Sequence, residues 1–302
     1  MHEVLIISGK GGTGKTSLTA AFAHLSDNAV LCDLDVDAPD LHLVLRPELS
    51  TATPFIAGFE AHIDGTRCSH CGTCLEMCRF GAVQTNTTDY RINPLRCEGC
   101  GVCVKFCPEK AIDFTAKHCG EWRISNTRFG PLVHAQLFPG QENSGKLVAQ
   151  LRQEAKTLAK EKGARLVISD GPPGIGCPVI SAISGQDLAV LVTEPTPSGL
   201  HDLKRVVELC GHFRLPAVVI INKYDLHATL VHEIKTFCVS QNLPVVAQLP
   251  HDPDFVHAMV RAVALTEYSQ GSTAQAVRNA FNEIMCFFDS SNGRVIQSRA
   301  AP

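Results

Sequence analysis

Val4-Leu5-Ile6-Ile7-Ser8-Gly9-Lys10-Gly11-Gly12-Thr13-Gly14-Lys15-Thr16 decides how the rest of the chain is read. A short apolar run enters a glycine-rich loop directly, which predicts a buried strand followed by a tight turn. Glycines let backbone N–H groups point inward and cradle phosphate oxygens at a helix start, with the helix expected over 15–25. Lys15 then reaches the β- and γ-phosphates, and Thr16 gives its hydroxyl to Mg²⁺. Gly9, Lys10, Gly11, Gly12, Thr13, Gly14, Lys15 and Thr16 are therefore the expected nucleotide contacts. A fortuitous glycine turn does not explain the lysine and threonine that follow it.

Outward from this loop, Val30-Leu31-Cys32 reads as a second strand ending in the acidic turn Asp33-Leu34-Asp35-Val36-Asp37. Similar apolar runs recur at 166–169, 188–193, 217–221 and 244–247, with helical patterns such as 199–213 and 228–240 between them. Continuously apolar strands alternating with amphipathic helices predict an α/β fold: a mostly parallel sheet covered by helices. The ligand then belongs at the carboxyl ends of the strands. A last amphipathic helix, 275–288, puts Phe281, Ile284, Met285 and Phe288 on one side. Its polar face carries only Arg278, so packing against the core is expected rather than a membrane surface.

The alternation stops between about Thr66 and Lys117, where two cysteine runs lie: Cys68, Cys71, Cys74, Cys78 and Cys97, Cys100, Cys103, Cys107. Both have CxxCxxCxxxC spacing. The segment is poor in large apolar residues, so bound clusters are expected to act as its core. The expected division is 1–60 and 118–302 for the nucleotide fold, with 61–117 inserted. Zinc is the other reading of such cysteines, but a zinc site needs only four.

The spacing resembles that of bacterial-type 2[4Fe–4S] ferredoxins, where three cysteines of a run bind one cluster and the fourth binds the other. That resemblance implies Cys68, Cys71, Cys74 and Cys107 for one cluster, and Cys97, Cys100, Cys103 and Cys78 for the second. The chain departs from an even repeat in one place: Pro108 follows the second run and Arg79 the first. Arg79 either raises that cluster's potential or is simply solvated.

Lys10 extends the loop to KGGTGKT, which resembles the MinD/ParA/nitrogenase-iron-protein class of deviant Walker ATPases. In that class the first lysine crosses to a partner's phosphates, so the resemblance implies a nucleotide-sandwich dimer, homomeric or with a related ATPase, with Lys10 acting beside Lys15. It also implies that Asp35 orients the attacking water, Asp33 supports Mg²⁺ through its waters, and Asp170-Gly171-Pro172-Pro173-Gly174 is Walker B with switch II. Asp37 and Asp40 have less defined roles, and any of these acids could instead cap a helix or form a turn. Asn222-Lys223-Tyr224-Asp225 has the form of the guanine-reading NKxD. The resemblance instead makes Asn222 an adenine contact near Pro250-His251-Asp252-Pro253, so ATP is expected. Cys177 lies where the nitrogenase iron protein has a cluster ligand, but no second cysteine accompanies it, so buried packing is expected.

Composition fits these expectations. The chain has 302 residues, 19% charged, with a net charge of −3, so no basic field invites nucleic acid. No apolar stretch is long enough to span a bilayer and the start lacks a signal-peptide pattern, so a cytoplasmic location without stable membrane insertion is expected. The fourteen cysteines suit metal ligation in a reducing compartment better than disulfides. The six outside the runs are expected to pack as small apolar residues.

Taken whole, the chain resembles MinD-superfamily ATPases carrying an inserted ferredoxin domain, including Thr193-Glu194-Pro195-Thr196-Pro197-Ser198-Gly199 after a strand and Asn143-Ser144-Gly145-Lys146 before a helix. The expected function couples nucleotide state to electron transfer or redox regulation through two clusters, toward a redox or metallocofactor protein partner. The alternatives are an Mrp-like carrier or assembly ATPase for iron–sulfur or other metallocofactors, and a MinD-like positional ATPase with a redox sensor. Mrp-like relatives use a paired C-terminal CxxC, which is absent here.

Overall fold

β1 (His2–Ser8) is buried from Val4 through Ser8, as a strand covered on both faces must be. In chain order there follow α1 (Lys15–Leu25), β2 (Ala29–Asp33), α2 (Leu41–Leu45), β3 (Thr53–Ile63), α3 (Thr73–Met77), β4 (Val83–Thr85), β5 (Tyr90–Ile92), α4 (Val102–Phe106), β6 (Ile112–Thr127) and β7 (Gly130–Leu137). The chain continues through α5 (Ser144–Glu161), β8 (Leu166–Pro173), α6 (Cys177–Ile183), β9 (Leu188–Thr193), α7 (Pro197–His212), β10 (Ala217–Asn222), α8 (Ala228–Ser240) and β11 (Val245–Leu249). It ends with α9 (Asp254–Val260), α10 (Leu265–Tyr268) and α11 (Ser272–Ser290). This computed structural model describes residues 1–48, 50–86 and 89–290. Its backbone separates into one unit of Met1–Ala52, Trp122–Gln136 and the chain from Ser144, and a second of Thr53–Glu121 with Leu137–Asn143.

In the first unit the strand order is β11-β10-β9-β1-β8-β2-β7-β6, and every pairing from β11 across to β7 is parallel. β1 lies between β9 and β8, so successive crossovers leave it in opposite directions. That reversal opens a crevice at the strands' carboxyl ends, where the glycine loop begins. Val4, Ile6, Leu18, Phe22, Leu31 and Ile168 form one core with Phe281, Ile284 and Phe288 of α11. Phe22 and Phe281 meet with ring centroids 5.4 Å apart, so the last helix is part of the packed body, as its apolar stripe predicts.

The second unit contains an internal repeat. Each cysteine of the first run recurs 29 residues later: 68 to 97, 71 to 100, 74 to 103, 78 to 107. The backbone repeats with them. Gly72 and Gly101 precede α3 and α4 with φ of 80° and 71°. Ala82 N–H donates to Cys78 Sγ at 3.4 Å, and Ala111 N–H to Cys107 Sγ at 3.3 Å. Asp64 N–H donates to Ala111 O and Asn93 N–H to Ala82 O, each at 2.8 Å. The repeat breaks at Gly99, where a Cβ would lie 2.2 Å from Phe59 O, while its counterpart His70 keeps a side chain at φ 57°.

This unit is wider than the cysteine-rich span 61–117. β3 contributes Phe55, Ala57, Ala61 and Ile63 as buried positions, an alternation too rich in alanine to stand out as a strand. Leu137–Asn143 also joins the unit from beyond β7. Past the cysteine runs the chain completes β6 and then forms β7.

Candidate functional site

The loop after β1 is shaped by what its glycines touch. Gly14 has φ 96°, and a Cβ there would lie 2.7 Å from Asn222 Nδ2; one on Gly9 would lie 2.3 Å from Asp202 Cβ. Only glycine permits both approaches. At Gly11 and Gly12 an added Cβ would meet nothing within 4 Å. The loop is therefore braced from behind and open in front, as a phosphate cradle must be. Lys15 opens α1 and is 7% exposed, while the buried Thr13 hydroxyl has no hydrogen-bond partner among the described residues.

Asp33, the last residue of β2, is the register partner of Asp170 within β8, and each is 1% exposed. Asp33 accepts from the N–H groups of Asp35 and Leu41 at 3.1 and 3.2 Å. Asp170 accepts from Thr16 Oγ1 at 2.7 Å on Oδ2 and from Thr19 Oγ1 at 3.0 Å on Oδ1. Burial first, then the neighbouring Asp170, raises Asp33 well above the ordinary carboxylate range. Burial pushes Asp170 up to about 6 against the hydroxyls and Lys15, which pull it down. Two adjacent buried carboxylates beside a threonine hydroxyl have only Lys15 to offset their charge, and that donor set fits Mg²⁺. Thr16 and Asp170 are the residues that would hold it.

Asp35 is half-buried, and its carboxyl is raised chiefly by burial, with Lys15 pulling it down. Asp37 and Asp40 are exposed. Thr19 belongs to no motif and was not among the expected residues. The only cue in the sequence is its spacing of three from Thr16, which sets both hydroxyls on one helix face.

Two expected contacts are engaged differently in the single chain. Lys10, expected to reach a partner's phosphates, pairs in cis with Glu194 and lies 3.2 Å from Thr196 Oγ1 and 3.3 Å from Ser198 Oγ. Glu194 is shared with Lys223, whose Nζ is 3.2 Å away. Asn222, expected at the base, donates through Nδ2 to Thr13 O at 2.8 Å and accepts the Lys223 N–H on Oδ1 at 3.0 Å. It braces the phosphate loop. Asp225, the last residue of the NKxD-like run, accepts the His251 N–H at 2.7 Å, so its carboxylate is spent on holding the 250–253 loop.

In the second unit, Cys68, Cys71, Cys74 and Cys107 line one pocket open to solvent, with Tyr90, Ile63 and Ile112 in its walls. Three cysteines of one run and the last of the other thus face a common space. Burial raises the Cys103 thiol and nearby Cys97 adds to it, with smaller contributions from Cys100 and Cys74, which puts these sulfurs in one neighbourhood. At Cys78, burial works upward but is outweighed by the N–H groups of Val83, Ala82, Phe80 and Gly81, and its pKa is lowered. Among the described residues no three His, Cys, Asp or Glu side chains close on a single metal ion. The first set rings a space and does not converge on a point.

Of the remaining cysteines, Cys32, Cys119, Cys210 and Cys238 are buried, as expected for small apolar residues, but Cys177 and Cys286 are exposed. The expected buried packing of Cys177 is corrected: it begins α6, and its carbonyl, 3.4 Å from a Cβ built on Gly145, marks the close approach there. Backbone packs and the thiol faces outward. Among the described residues no helix is long and apolar enough to cross a membrane.

This geometry has relatives. The family model described as the CobQ/CobB/MinD/ParA nucleotide binding domain matches residues 4–265. The uncharacterized protein MJ0578 of Methanocaldococcus jannaschii is 30% identical over 290 residues, covering 94% of this chain and 97% of its own. Among solved structures, the septum site-determining protein MinD from Pyrococcus horikoshii, complexed with Mg-ADP, superposes with a TM-score of 0.58 at 17% identity over 97% of this chain and 99% of that one. A ParA family ATPase from Chlorobium tepidum gives 0.54 at 13% identity, over 93% and 98%. The two structures share the fold; the matched model, spanning most of the sequence, shows that the chain belongs to the CobQ/CobB/MinD/ParA nucleotide-binding family.

Proposed function

We propose that this protein is an ATP-hydrolysing switch whose second unit carries two [4Fe–4S] clusters, and that nucleotide state governs electron transfer through them. The observation that carries this reading is the four-cysteine cavity, in which Cys107 of the second run joins Cys68, Cys71 and Cys74 of the first. That three-plus-one arrangement suits cubane clusters and has no purpose for a zinc ion. The N–H donors around Cys78 favour its thiolate over the thiol, as a ligand must be. The second set is Cys97, Cys100, Cys103 and Cys78. When bound, such clusters supply reversible one-electron transfer.

On the nucleotide side, the loop N–H groups and Lys15 bind the phosphates of ATP, and Thr16 with Asp170 would hold a Mg²⁺ that offsets the phosphate charge. Asp35, its carboxyl raised by burial, accepts the proton of the attacking water. Lys10 leaves Glu194 to meet the phosphates held by a second subunit, which places positive charge where the transferring phosphoryl group needs it. The chain leaves the acidic segment at Asp40 and enters the second unit at Thr53. A change in that segment on γ-phosphate loss is thereby transmitted along a short covalent path.

The test is anaerobic: iron content, EPR of the reduced protein, and midpoint potentials with ATP, with ADP and without nucleotide. The expected result is two cluster signals whose potential or transfer rate to an acceptor depends on the nucleotide. Absence of iron, or identical behaviour in all three states, overturns the reading. Iron delivered intact to an apo-acceptor would identify a carrier instead.

A further inference from the structure

Thr19 sits one turn beyond Lys15 on α1 and is fully buried. Its Oγ1 is 3.0 Å from Lys15 O and 3.0 Å from Asp170 Oδ1. A buried helical threonine commonly bonds the carbonyl four residues back, and that habit explains the first contact. It does not explain the second. Among the described residues nothing else donates to Asp170 Oδ1, while Thr16 Oγ1 alone donates to Oδ2.

The geometry points to Thr19 as a positioning residue for the Mg²⁺–nucleotide site, acting through Asp170 and never touching metal or nucleotide itself. This inference deepens the ATPase reading and rests on it. The torsion that orients a carboxylate is broad and roughly two-fold, so a donor on one oxygen leaves the group free to swing. Two hydroxyls on one helix face, each holding a different oxygen, fix its plane. The restraint matters because Asp170 faces Asp33, its register partner on β2, and two buried carboxylates repel. Thr16 must also offer a lone pair to the cation. Thr19, without solvent access, shares its one hydrogen between Lys15 O and Asp170 Oδ1 and keeps that bifurcated hold on Oδ1 while Thr16 turns to the cation.

The experiment titrates Mg²⁺ against the whole protein at a fixed concentration of a fluorescent ATP analogue. T19V and T19A remove the hydroxyl; T19S keeps it. Loss of an outer-shell partner commonly weakens a metal site about 10–100-fold, so T19V and T19A should need that much more Mg²⁺ for half-maximal binding, with T19S restoring the wild-type requirement. Thermal melts without Mg²⁺ separate a packing effect, which shifts melting in all three variants without moving the Mg²⁺ requirement. If T19V does not fold, T19A against T19S makes the same comparison. An unchanged Mg²⁺ requirement in the folded hydroxyl-free variants, or T19S impaired as much as they are, overturns the inference alone. Nucleotide binding by the wild type that ignores Mg²⁺, or no binding at all, overturns the underlying reading with it.

Discussion

Lys10 and Glu194 are joined within one chain: the loop lysine is turned back onto the segment that caps α7, where Thr196 accepts the Gly199 N–H at 3.0 Å. If Lys10 acts on a partner's nucleotide, this pair must break when the dimer closes. The two side chains are 29% and 12% exposed, so the pair is partly screened and worth no more than about 1 kcal/mol.

The first prediction follows from that cost. A dimer breaks two such pairs, so Glu194→Gln should tighten ATP-dependent dimerisation by up to about 30-fold, the equivalent of roughly 2 kcal/mol. Sedimentation with a slowly hydrolysed ATP analogue measures it. Lys10→Ala should bind nucleotide normally yet fail to hydrolyse it. A dimer constant unmoved by Glu194→Gln would show that the pair is no restraint.

A second prediction concerns pH. The folded Asp170 carboxyl, pushed up to about 6 mainly by burial, lies above its value of about 4 in an unfolded chain. The folded state therefore binds this proton more tightly. Its contribution to stability is complete below about pH 4 and is lost as pH rises through about 6. The nucleotide-free protein should thus lose on the order of 2 kcal/mol from this group between pH 4 and pH 7. Asp170→Asn should flatten that part of the melting profile, and Mg²⁺-ATP should offset the loss in the wild type. Parallel profiles for variant and wild type would refute the assignment.

The cysteine pairing gives a third prediction. Cys68→Ala and Cys107→Ala should each remove about half of the roughly eight irons expected for two [4Fe–4S] clusters, and the double variant no more than either alone. Cys68→Ala with Cys97→Ala should remove nearly all. Iron assay and EPR read the result, and nucleotide binding checks that the first unit survives. If the 68/107 double variant loses all its iron, these residues belong to different clusters.

Strands were legible where burial on both faces forces an unbroken apolar run. Val4–Ile7, Leu188–Thr193 and Ala217–Ile221 each lie within one observed strand. β3 escaped because its inward positions include Ala57 and Ala61, which carry little periodic signal. α7 begins at Pro197 rather than 199, although Thr196 before Pro197 is a readable cap. Around the glycine loop, motif spacing singled out Lys15, Thr16, Asp33 and Asp170. It could not reveal Thr19, Glu194 or the engagement of Asn222, because these depend on which side chains meet across the sheet. Thr13 and Asn222 are joined by β10 lying two strands from β1, a relationship no local pattern encodes.

Asn222 supplies the last prediction, because its observed and expected roles have different consequences. As a brace it holds Thr13 O through a buried hydrogen bond and lies against Gly14. Removing one partner of such a bond costs about 1–3 kcal/mol, here expressed as disorder of the loop that binds phosphate. Asn222→Ala should therefore weaken ATP and GTP alike, by roughly 5- to 150-fold if the whole cost appears in binding. A contact to adenine would behave otherwise: ATP would weaken, GTP would not, and the preference between them would collapse. Equilibrium titration of both nucleotides into the variant distinguishes the two. Equal loss supports the brace. A loss confined to ATP would mean that Asn222 leaves Thr13 when nucleotide arrives, and that the loop is held open for phosphate by the close packing of Gly9 on Asp202 without it.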